Sequence, residues 1–351
     1  MARFLVTGGA GYVGSHIVLA LRERGDEVVV LDDLRQGHRE AVAPGAELVV
    51  ADVGDRSNLA EMFASWKFDG VLHFAALSLV GESMREPLRY MAENLSNTLW
   101  LAEAAVKAGC NRFVLSSTAA LFGLPRVIPI DEEAGFAPVS AYGESKLMAE
   151  RGLEWADQVH GLRSACLRYF NAAGADPLGR LGEDHSPETH LIPLAIDAAL
   201  GIRPPLTVFG TDYDTPDGTA IRDYVHVTDL ADAHLRALDV LNQGRSVRYN
   251  VGNGDGYSVL DVIRMVGEVS GRPVPYTAGP RRAGDPAVLV AANAKLRRET
   301  GWSPRYGSLE QVVRTAWAWR QKHPRGFGAD AVKVAPAHIA EPVAETVLAS
   351  S

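Results

Sequence analysis

The stretch TGGAGYVG, residues 7–14, decides the fold because it follows a short apolar run and opens a helical pattern. Glycine at Gly8, Gly11 and Gly14 allows a tight turn and lets the backbone approach a pyrophosphate at the helix N-terminus. Tyr12 and Val13 lie inside the same turn and join the glycines as candidates for cofactor binding. The stretch predicts a dinucleotide-binding turn.

Acidic and small residues end the apolar runs that follow. Asp32 lies about 20 residues beyond the turn, where a carboxylate can bind the hydroxyls of an adenosine ribose. It would repel a 2′-phosphate, so the sequence favours NAD over NADP, with Asp33 as a rival for the role. Asp52 and Val53 after the third run could meet the adenine. Small residues at the end of the fourth run leave room for the cofactor backbone, at Phe74, Ala75 and Ala76.

Apolar runs and helical patterns alternate along the first half of the chain. The runs cover residues 4–6, 27–31, 47–51, 70–74 and 112–116, and a sixth at 163–168 follows a helix that begins near residue 142. Helical patterns lie between them at 15–24, 58–66 and 97–108. Such apolar runs are typical of parallel strands buried on both faces, and the alternation implies right-handed crossovers. The sequence therefore predicts an α/β fold with a Rossmann-like doubly wound parallel sheet.

The amino-acid composition of the chain changes after residue 171. Gly, Pro and Asp become frequent at 175–187 and 209–219, and helical patterns return at 191–200, 227–241, 259–270 and 309–322. We interpret residues 1–171 as an NAD-binding domain. Residues 172–328 are expected to form mainly a smaller C-terminal α/β lobe that binds the substrate, with some segments crossing back to the sheet. Residues 329–351 are expected to be a loosely held tail.

Composition argues against several classes of protein. Of the 351 residues, 47% are hydrophobic and 22% are charged, as in ordinary globular proteins. A net charge of −8 argues against a broad nucleic-acid-binding surface, and no apolar run is long enough to span a membrane. Two cysteines, Cys110 and Cys166, cannot form a disulfide framework or a four-ligand zinc site. Because the N-terminus has no signal-peptide pattern, we expect a cytoplasmic protein without metal, nucleic-acid or membrane partners.

A tyrosine and a lysine, Tyr142 and Lys146, lie four residues apart on one face of a predicted helix. A free phenol has a pKa of about 10 and is a weak base at neutral pH, but a lysine ammonium and a positive nicotinamide ring would lower that pKa. The pair can then remove or return a hydroxyl proton while hydride moves to or from NAD. Thr118, at the end of the preceding strand, can hydrogen-bond the reacting oxygen.

Several segments resemble a known family. TGGAGYVGSH, YGESK and LRYFNAAGA resemble the extended short-chain dehydrogenases/reductases. HFAALSLVGES, GEDHS, HLIP, GTDYDTPDGTAIRDYVHVTDLADAH and PRRAGDPA resemble, within that family, the UDP-glucose 4-epimerases, and the match covers about residues 3–323. The resemblance implies interconversion of UDP-glucose and UDP-galactose through a transient 4-keto intermediate, with tightly bound NAD, in a homodimer that serves carbohydrate metabolism.

The resemblance also assigns roles to residues of this chain. It makes Tyr142 the catalytic base, with Lys146 and Thr118 as its partners, and Lys146 also reaches the nicotinamide ribose. It adds cofactor contacts at Asn94, Tyr169 and Phe170. It implies contacts with the nucleotide sugar at Thr118, Asn171, His190, Leu191, Thr207, Val208, Phe209, Arg222, Arg282 and Asp285. Among these, the two arginines form the diphosphate clamp, because guanidinium forks fit phosphate oxygens.

The chain departs from the family pattern at two positions. Ser78 stands where many relatives have a lysine, which removes one contact with a cofactor phosphate. Leu289 stands where some relatives have a tyrosine at the wall of the sugar pocket. The smaller side chain of Leu289 would admit an N-acetyl group.

Other functions stay open at the level of sequence. A UDP-N-acetylhexosamine or UDP-pentose 4-epimerase would carry the same motifs. A nucleotide-sugar 4,6-dehydratase needs an acid and base pair after the active-site threonine, where this chain has Ala119 and Ala120, so that alternative is weak. A non-catalytic NAD sensor on this fold would be expected to lose Tyr142 or Lys146, and both are present.

Overall fold

The strands and helices of the chain follow one another in the alternating order that the sequence predicts. The computed structural model describes residues 1–282 and 284–328, and the tail expected at 329–351 lies outside them. The strands are β1 Arg3–Thr7, β2 Glu27–Asp32, β3 Glu47–Val50, β4 Gly70–His73, β5 Arg112–Thr118, β6 Arg163–Tyr169, β7 Asn171–Ala173, β8 Leu206–Phe209, β9 Ile221–Arg222, β10 Tyr224–His226, β11 Val247–Val251, β12 Tyr257–Ser258, β13 Tyr276–Gly279 and β14 Val288–Leu289. The helices are α1 Tyr12–Glu23, α2 Arg56–Ser65, α3 Val80–Ser83, α4 Pro87–Tyr90, α5 Asn97–Lys107, α6 Ala141–His160, α7 Leu191–Ala199, α8 Val227–Leu241, α9 Val259–Ser270, α10 Ala294–Thr300 and α11 Leu309–Lys322.

Seven of these strands form one parallel sheet in the order β11-β6-β5-β4-β1-β2-β3. The order runs outward from β1 in both directions, so the sheet is doubly wound and the predicted fold class is confirmed. All six predicted strands are present. The seventh strand, β11, comes from the later part of the chain and pairs with β6.

Both faces of the sheet are covered by helices. Val6 of β1 packs in a core with Ile17 of α1 and Leu230 of α8, whereas Leu5 of β1 packs on the opposite face with Leu101 of α5. Leu5 and Val6 are both fully buried. Burial of each such side chain contributes about 1.5–3 kcal/mol, which explains why the strand sequence is apolar at consecutive positions rather than alternating.

Helix boundaries depend on residues that apolar periodicity does not reveal. Helix α2 begins at Arg56, two residues before the predicted start, because the Asp55 carboxylate accepts the backbone N–H of Ser57 at 2.9 Å and caps the helix. Helix α1 begins at Tyr12 rather than at residue 15. Its first turn packs directly against the glycine turn, where a Cβ at Gly14 would lie 2.1 Å from the Gly8 carbonyl oxygen.

The later part of the chain builds a second, smaller core. Short strands pair as β7 with β10, as β9 with β12 and β14, and as β8 with β13. Helices α7, α9 and α11 bury apolar side chains against one another, at Ile192, Ile196, Val262, Val266, Val312 and Val313. No helix in the described part of the chain has the length and apolar character needed to cross a bilayer.

Candidate active site

The carboxyl ends of the central strands meet at one edge of the sheet. In the parallel register, Thr7 at the end of β1 lies opposite Leu31 of β2 and His73 of β4, and Thr118 at the end of β5 lies opposite Tyr169 of β6. In doubly wound sheets, this edge is where ligands bind. The predicted cofactor residues therefore converge although they are far apart in sequence.

The glycine turn leaves backbone amides available at the start of α1. Gly11 is the N-cap of the helix, and among the described residues no side chain caps its first turn. A Cβ added at Gly11 would meet only the Gly8 carbonyl oxygen, at 3.4 Å, so this side of the turn is open. Uncapped amides at an open helix N-terminus suit a pyrophosphate. The turn, which includes the amides of Tyr12 and Val13, thus fits the diphosphate of NAD.

Asp32 lies inside the turn and Asp33 faces away from it. The Asp32 carboxylate accepts the backbone N–H groups of Ala10 and Leu34, both at 2.9 Å. Burial raises the pKa of Asp32. The Asp33 carboxylate instead forms an ion pair with Arg35. Of the two carboxylates, Asp32 is the one tied to the glycine turn.

The other predicted cofactor residues line the same edge with different degrees of exposure. Asp52 is exposed and accepts the N–H of Gly54 at 2.7 Å, whereas Val53 is buried. The ring of Phe74 lies 5.0 Å from that of His234. A Cβ at Gly8 would lie 2.5 Å from the backbone nitrogen of Ala75, so the two strand ends touch, and Ala76 next to it is exposed.

Asn94 holds two structural elements together. Its side-chain amide accepts the N–H of Leu77 at 2.8 Å and donates to the Leu77 carbonyl at 2.9 Å and to the Ser145 hydroxyl at 3.1 Å. Asn94 is fully buried. The side chain that the sequence assigned to cofactor contact therefore fixes the loop after β4 against α6.

Helix α6 places Tyr142 and Lys146 against the end of β5. Ser140 caps the helix by accepting the N–H of Gly143 at 3.1 Å. Lys146 Nζ donates a hydrogen bond of 3.0 Å to the Ser116 carbonyl oxygen. The Thr118 hydroxyl accepts the backbone N–H of Ala120 at 3.1 Å and lies close enough to the Tyr142 phenol to lower its pKa. The structure thus brings together the tyrosine, the lysine and the threonine that the sequence singled out.

Burial, rather than Lys146, dominates the ionisation of the phenol. Burial raises the pKa of Tyr142 above its ordinary value, the nearby Tyr169 raises it further, and the nearby Thr118 hydroxyl lowers it. Burial also lowers the pKa of Lys146 to about 8. The sequence predicted that Lys146 and the nicotinamide ring lower the pKa of Tyr142. In the protein without its cofactor the pKa is raised instead, because exclusion of water disfavours the phenolate.

Two residues missed by the sequence analysis support this centre. The Tyr90 ring lies edge-on to the Tyr142 ring at 6.5 Å, and its hydroxyl donates to the Glu82 carboxylate at 2.8 Å. Glu150 accepts the Ser117 hydroxyl at 2.5 Å and forms a buried ion pair of 2.7 Å with Arg168. Glu150 could have been found, since it lies one helical turn after Lys146, but no sequence signal marks Tyr90.

The nucleotide-sugar candidates fall into separate groups around this centre. The hydroxyl groups of Tyr169 and Ser116 share a hydrogen bond of 2.7 Å. Asn171, at the start of β7, donates its backbone N–H to the Asp223 carbonyl at 3.1 Å. In β8, Val208 points into the core, while Thr207 and Phe209 point outward.

The two arginines of the predicted clamp lie on different elements. Arg222 forms an ion pair with Asp285 and lies opposite Leu289 in the register of β9 and β14. The guanidinium carbon of Arg282 lies 4.3 Å from the centroid of the Phe209 ring. Both guanidinium groups are therefore held in place by neighbours that were predicted with them.

Leu289 also contacts the region of the catalytic helix. It packs with Phe170 against a buried cluster that includes Leu121, Phe122 and Leu147. Leu147 follows Lys146 in α6, so Leu289 lies near the part of this helix that carries the tyrosine and lysine. Ser78, the other departure, is exposed.

His190 lies in a group of four side chains before α7, of which the sequence analysis singled out only this one. It is the N-cap residue of α7 and precedes Leu191. Its imidazole contacts the Glu183 carboxylate, which lies 3.1 Å from the His185 imidazole. Burial opposes ionisation of these groups, but the histidines hold the pKa of Glu183 low and the carboxylates raise the pKa of His185 to about 10.

Comparison with known proteins identifies the family. Residues 4–252 match the NAD dependent epimerase/dehydratase family. A UDP-glucose 4-epimerase from Lacticaseibacillus casei is 48% identical over 324 residues, covering 92% of this chain and 98% of the relative.

Solved structures agree with this match. A crystal structure of a UDP-glucose 4-epimerase superposes with a TM-score of 0.91 at 46% identity, covering 93% of this chain and 100% of the other. The Brucella ovis UDP-glucose 4-epimerase, solved in complex with NAD, gives a TM-score of 0.88 at 41% identity, covering 91% and 98% of the two chains. The resemblance seen in the motifs is confirmed, and the chain belongs to the NAD dependent epimerase/dehydratase family as a relative of the UDP-glucose 4-epimerases.

Proposed function

We propose that this chain epimerises UDP-hexoses at C4, interconverting UDP-glucose and UDP-galactose, and that Tyr142, Lys146 and Thr118 are its catalytic residues. The observation that carries the proposal is the meeting of these side chains at the end of β5, beside an open glycine turn. The proximity of Thr118 to Tyr142, which lowers the pKa of the phenol, supports a shared contact with the reacting oxygen. The hydrogen bond from Lys146 Nζ to the Ser116 carbonyl oxygen supports a fixed position for α6.

Tyr142 is proposed to take the proton of the 4-hydroxyl group and to return it after the configuration has changed. When bound, NAD supplies the hydride acceptor and donor that the 4-keto intermediate requires, together with a positive ring. A buried phenol needs neighbouring positive charge to ionise. Lys146 provides it at neutral pH, because its pKa of about 8 leaves most of the ammonium charged. Thr118 orients the reacting oxygen.

Epimerisation also requires that the hexose ring rotate to present its opposite face while the diphosphate stays bound. We propose that Arg222 and Arg282 hold the diphosphate, since guanidinium groups bind phosphate oxygens in a bidentate manner. The ion pair with Asp285 and the contact with Phe209 support this role by orienting the two guanidinium groups. Leu289 offers no polar group to the hexose, which supports a loosely held sugar.

The remaining assignments follow from the same site. Asp32, tied to the glycine turn, is proposed to bind the adenosine ribose. Asn171, His190, Leu191 and Thr207 are proposed to contact the nucleotide sugar, with Val208 doing so through its backbone, since its side chain is buried. We propose a cytoplasmic location and a role in carbohydrate metabolism, in galactose use or in the supply of sugars for polysaccharides. Two free, buried cysteines, Cys110 and Cys166, support a reducing compartment.

An exposed apolar face on α5 and α6 supports a homodimer. Trp155 is 67% and Val159 66% exposed, and Leu99 and Met148 are each 38% exposed. The two helices pack closely, because a Cβ at Gly152 would lie 2.5 Å from Leu99 Cδ2. A contiguous apolar face of this kind usually marks an interface, and closed twofold dimers are the commonest assembly.

The first prediction concerns the base. Wild-type protein should convert UDP-galactose to UDP-glucose, measured with and without added NAD, and Tyr142→Phe should lower turnover at least about a hundredfold, because a general base is lost. Calorimetric binding of UDP should change little, since the phenol serves the sugar. Tyr276→Phe, at a tyrosine that is 48% exposed, is the matched control and should keep wild-type turnover.

Three outcomes would count against this assignment. Near-normal turnover in Tyr142→Phe would remove the phenol from the mechanism. A 4-keto-6-deoxy product from wild type would indicate a dehydratase, and an absence of any turnover with NAD present would indicate a sensor.

The second prediction concerns the sugar pocket. Because Leu289 is smaller than tyrosine, wild type should also epimerise UDP-N-acetylglucosamine, and Leu289→Tyr should lower the specificity constant for this sugar relative to UDP-glucose. The expected loss in the ratio is at least about tenfold, or about 1.4 kcal/mol. Leu178→Tyr, at a leucine that is 71% exposed, is the matched control. Wild type inactive on the N-acetylated sugar would refute this role for Leu289.

The third prediction concerns assembly. Wild type should sediment as a dimer, and Trp155→Glu should shift it towards monomer, because a charge would be buried in an apolar interface. Trp66→Glu is not a suitable control, since that side chain packs in the core. Glu154→Gln, at an exposed neighbouring position, should leave the dimer intact. A monomeric wild type at micromolar concentration would contradict the proposal.

A further inference from the structure

Four side chains with metal-binding atoms converge in the segment that precedes α7. We call Glu183, His185, Glu188 and His190 the Glu/His cluster. One carboxylate oxygen from each glutamate and one imidazole nitrogen from each histidine lie within 4.8 Å of one another. The spacing in sequence, Glu-x-His-x-x-Glu-x-His, brings the two halves of the cluster together across the Ser186–Pro187 turn.

The separations between these atoms are those of a small coordination sphere. His185 Nδ1 lies 3.1 Å from Glu183 Oε1 and 3.7 Å from Glu188 Oε2, and His190 Nδ1 lies 3.5 Å from Glu188 Oε1. A tetrahedral zinc ion with bonds of about 2.0–2.1 Å separates its ligand atoms by roughly 3.3–3.4 Å. These distances lie near that value, but they involve both oxygens of Glu188, and one ligand atom from each residue lies within 4.8 Å of the others, so the four side chains would draw closer together around a metal.

His185 points a buried nitrogen into the cluster. Its Nδ1 atom is inaccessible to solvent and has no aligned hydrogen-bond partner among the described residues, although Glu183 Oε1 lies 3.1 Å away. Distance alone does not make a hydrogen bond, and a buried polar atom without one is costly. A ligand at the centre of the cluster would satisfy this nitrogen.

The carboxylates of the cluster are buried and already oriented. The side chains of Glu183 and Glu188 are 6% and 11% exposed. Glu188 Oε1 accepts the backbone N–H groups of Thr189 and His190 at 2.7 and 2.8 Å. Contacts of this kind orient metal ligands from the outer shell. Two desolvated carboxylates require neutralisation, which a divalent cation would supply while leaving the two imidazoles neutral.

We propose that the Glu/His cluster binds a divalent transition-metal ion, best matched by zinc, as a structural clip. Imidazole nitrogen together with carboxylate oxygen suits zinc better than magnesium or calcium, which prefer oxygen alone. Four protein ligands leave no open position for water, so the site is structural rather than catalytic. This proposal departs from the expectation from the sequence that the protein has no metal site, which rested on counting cysteines.

The clip would fix the segment between β7 and α7 against the cofactor half of the fold. The His185 ring lies edge-on to the Tyr12 ring at 6.0 Å, and the Tyr12 hydroxyl donates to the Gly174 carbonyl at 2.7 Å. The metal site goes beyond the proposed epimerase activity and touches it only through His190. In the competing arrangement, the two imidazoles are protonated and pair with the two carboxylates without a metal.

A zinc titration of the whole protein, freed of metal by a chelator and carrying no affinity tag, tests the proposal. Competition with a chromophoric chelator should reveal one zinc ion per chain. Glu183→Gln and His185→Asn should each weaken zinc binding at least about tenfold. Loss of a residue that only hydrogen-bonds a ligand already costs about that much, and loss of a direct ligand should cost no less. His160→Asn, at an exposed histidine at the end of α6, is the matched control and should bind zinc as wild type does.

Cobalt provides a second readout that reports the geometry of the ligands. Wild type loaded with Co²⁺ should show the intense visible absorption of a tetrahedral site, and His185→Asn should lose it. Should Glu183→Gln fail to fold, His185→Asn and Glu188→Gln still decide the question. Absence of saturable binding at about 100 μM zinc, or equal binding by wild type and the cluster variants, would overturn the proposal and leave the cluster as a network of ion pairs. Epimerase turnover of wild type, measured separately, distinguishes this failure from failure of the proposed function.

Discussion

The attachment of α6 to the end of β5 is the constraint on which the rest of the site depends. Lys146 Nζ donates to the Ser116 carbonyl oxygen, and one turn later Glu150 accepts the hydroxyl of Ser117. These two hydrogen bonds hold the helix in one axial position against the strand. Tyr142, at the start of the helix, is thereby held beside Thr118. A helix displaced along its axis would separate the phenol from the Thr118 hydroxyl.

Burial of the contact between α6 and β5 changes the pKa values of both Tyr142 and Lys146. It excludes water from the phenol and the lysine, which raises the pKa of Tyr142 and lowers that of Lys146 to about 8. Both shifts favour the uncharged forms; at a pKa of about 8 most of Lys146 still carries its charge at neutral pH, whereas the phenol needs nearby positive charge to ionise. The proposed proton transfer by Tyr142 would therefore be favoured by the positive nicotinamide ring of bound NAD.

Local patterns in the sequence were sufficient for the sheet and for the reacting side chains. Apolar runs such as residues 4–6 predict buried strands because helices cover both faces of the sheet at its centre, whereas β3, at the edge of the sheet, is partly exposed. Glycine spacing and the interval between Tyr142 and Lys146 are local, so they too can be read directly. The family resemblance extended this reading to residues that lie far apart, such as Arg222 and Asp285, which the fold joins in an ion pair.

Contacts that depend on packing across the chain could not be predicted in this way. Tyr90 meets Tyr142 only because the loop after β4 folds back over α6, held there by Asn94. The pKa of Tyr142 could not be predicted from the sequence either, since it is set by burial and not by spacing to Lys146. The Glu/His cluster was missed for a third reason, because a search for zinc ligands based on cysteine ignores carboxylates whose approach is visible only in three dimensions.

The most direct test of the account follows the hydrogen on C4 of the sugar. UDP-galactose carrying deuterium at C4 would be converted by wild type in ordinary water, and the UDP-glucose formed would be analysed by NMR and mass spectrometry. The account predicts that deuterium stays at C4, because this hydrogen moves as hydride within the site while only the hydroxyl proton passes through Tyr142. Loss of the deuterium to water would mean that C4 is inverted by proton abstraction, and it would contradict the roles proposed here for Tyr142 and the nucleotide site.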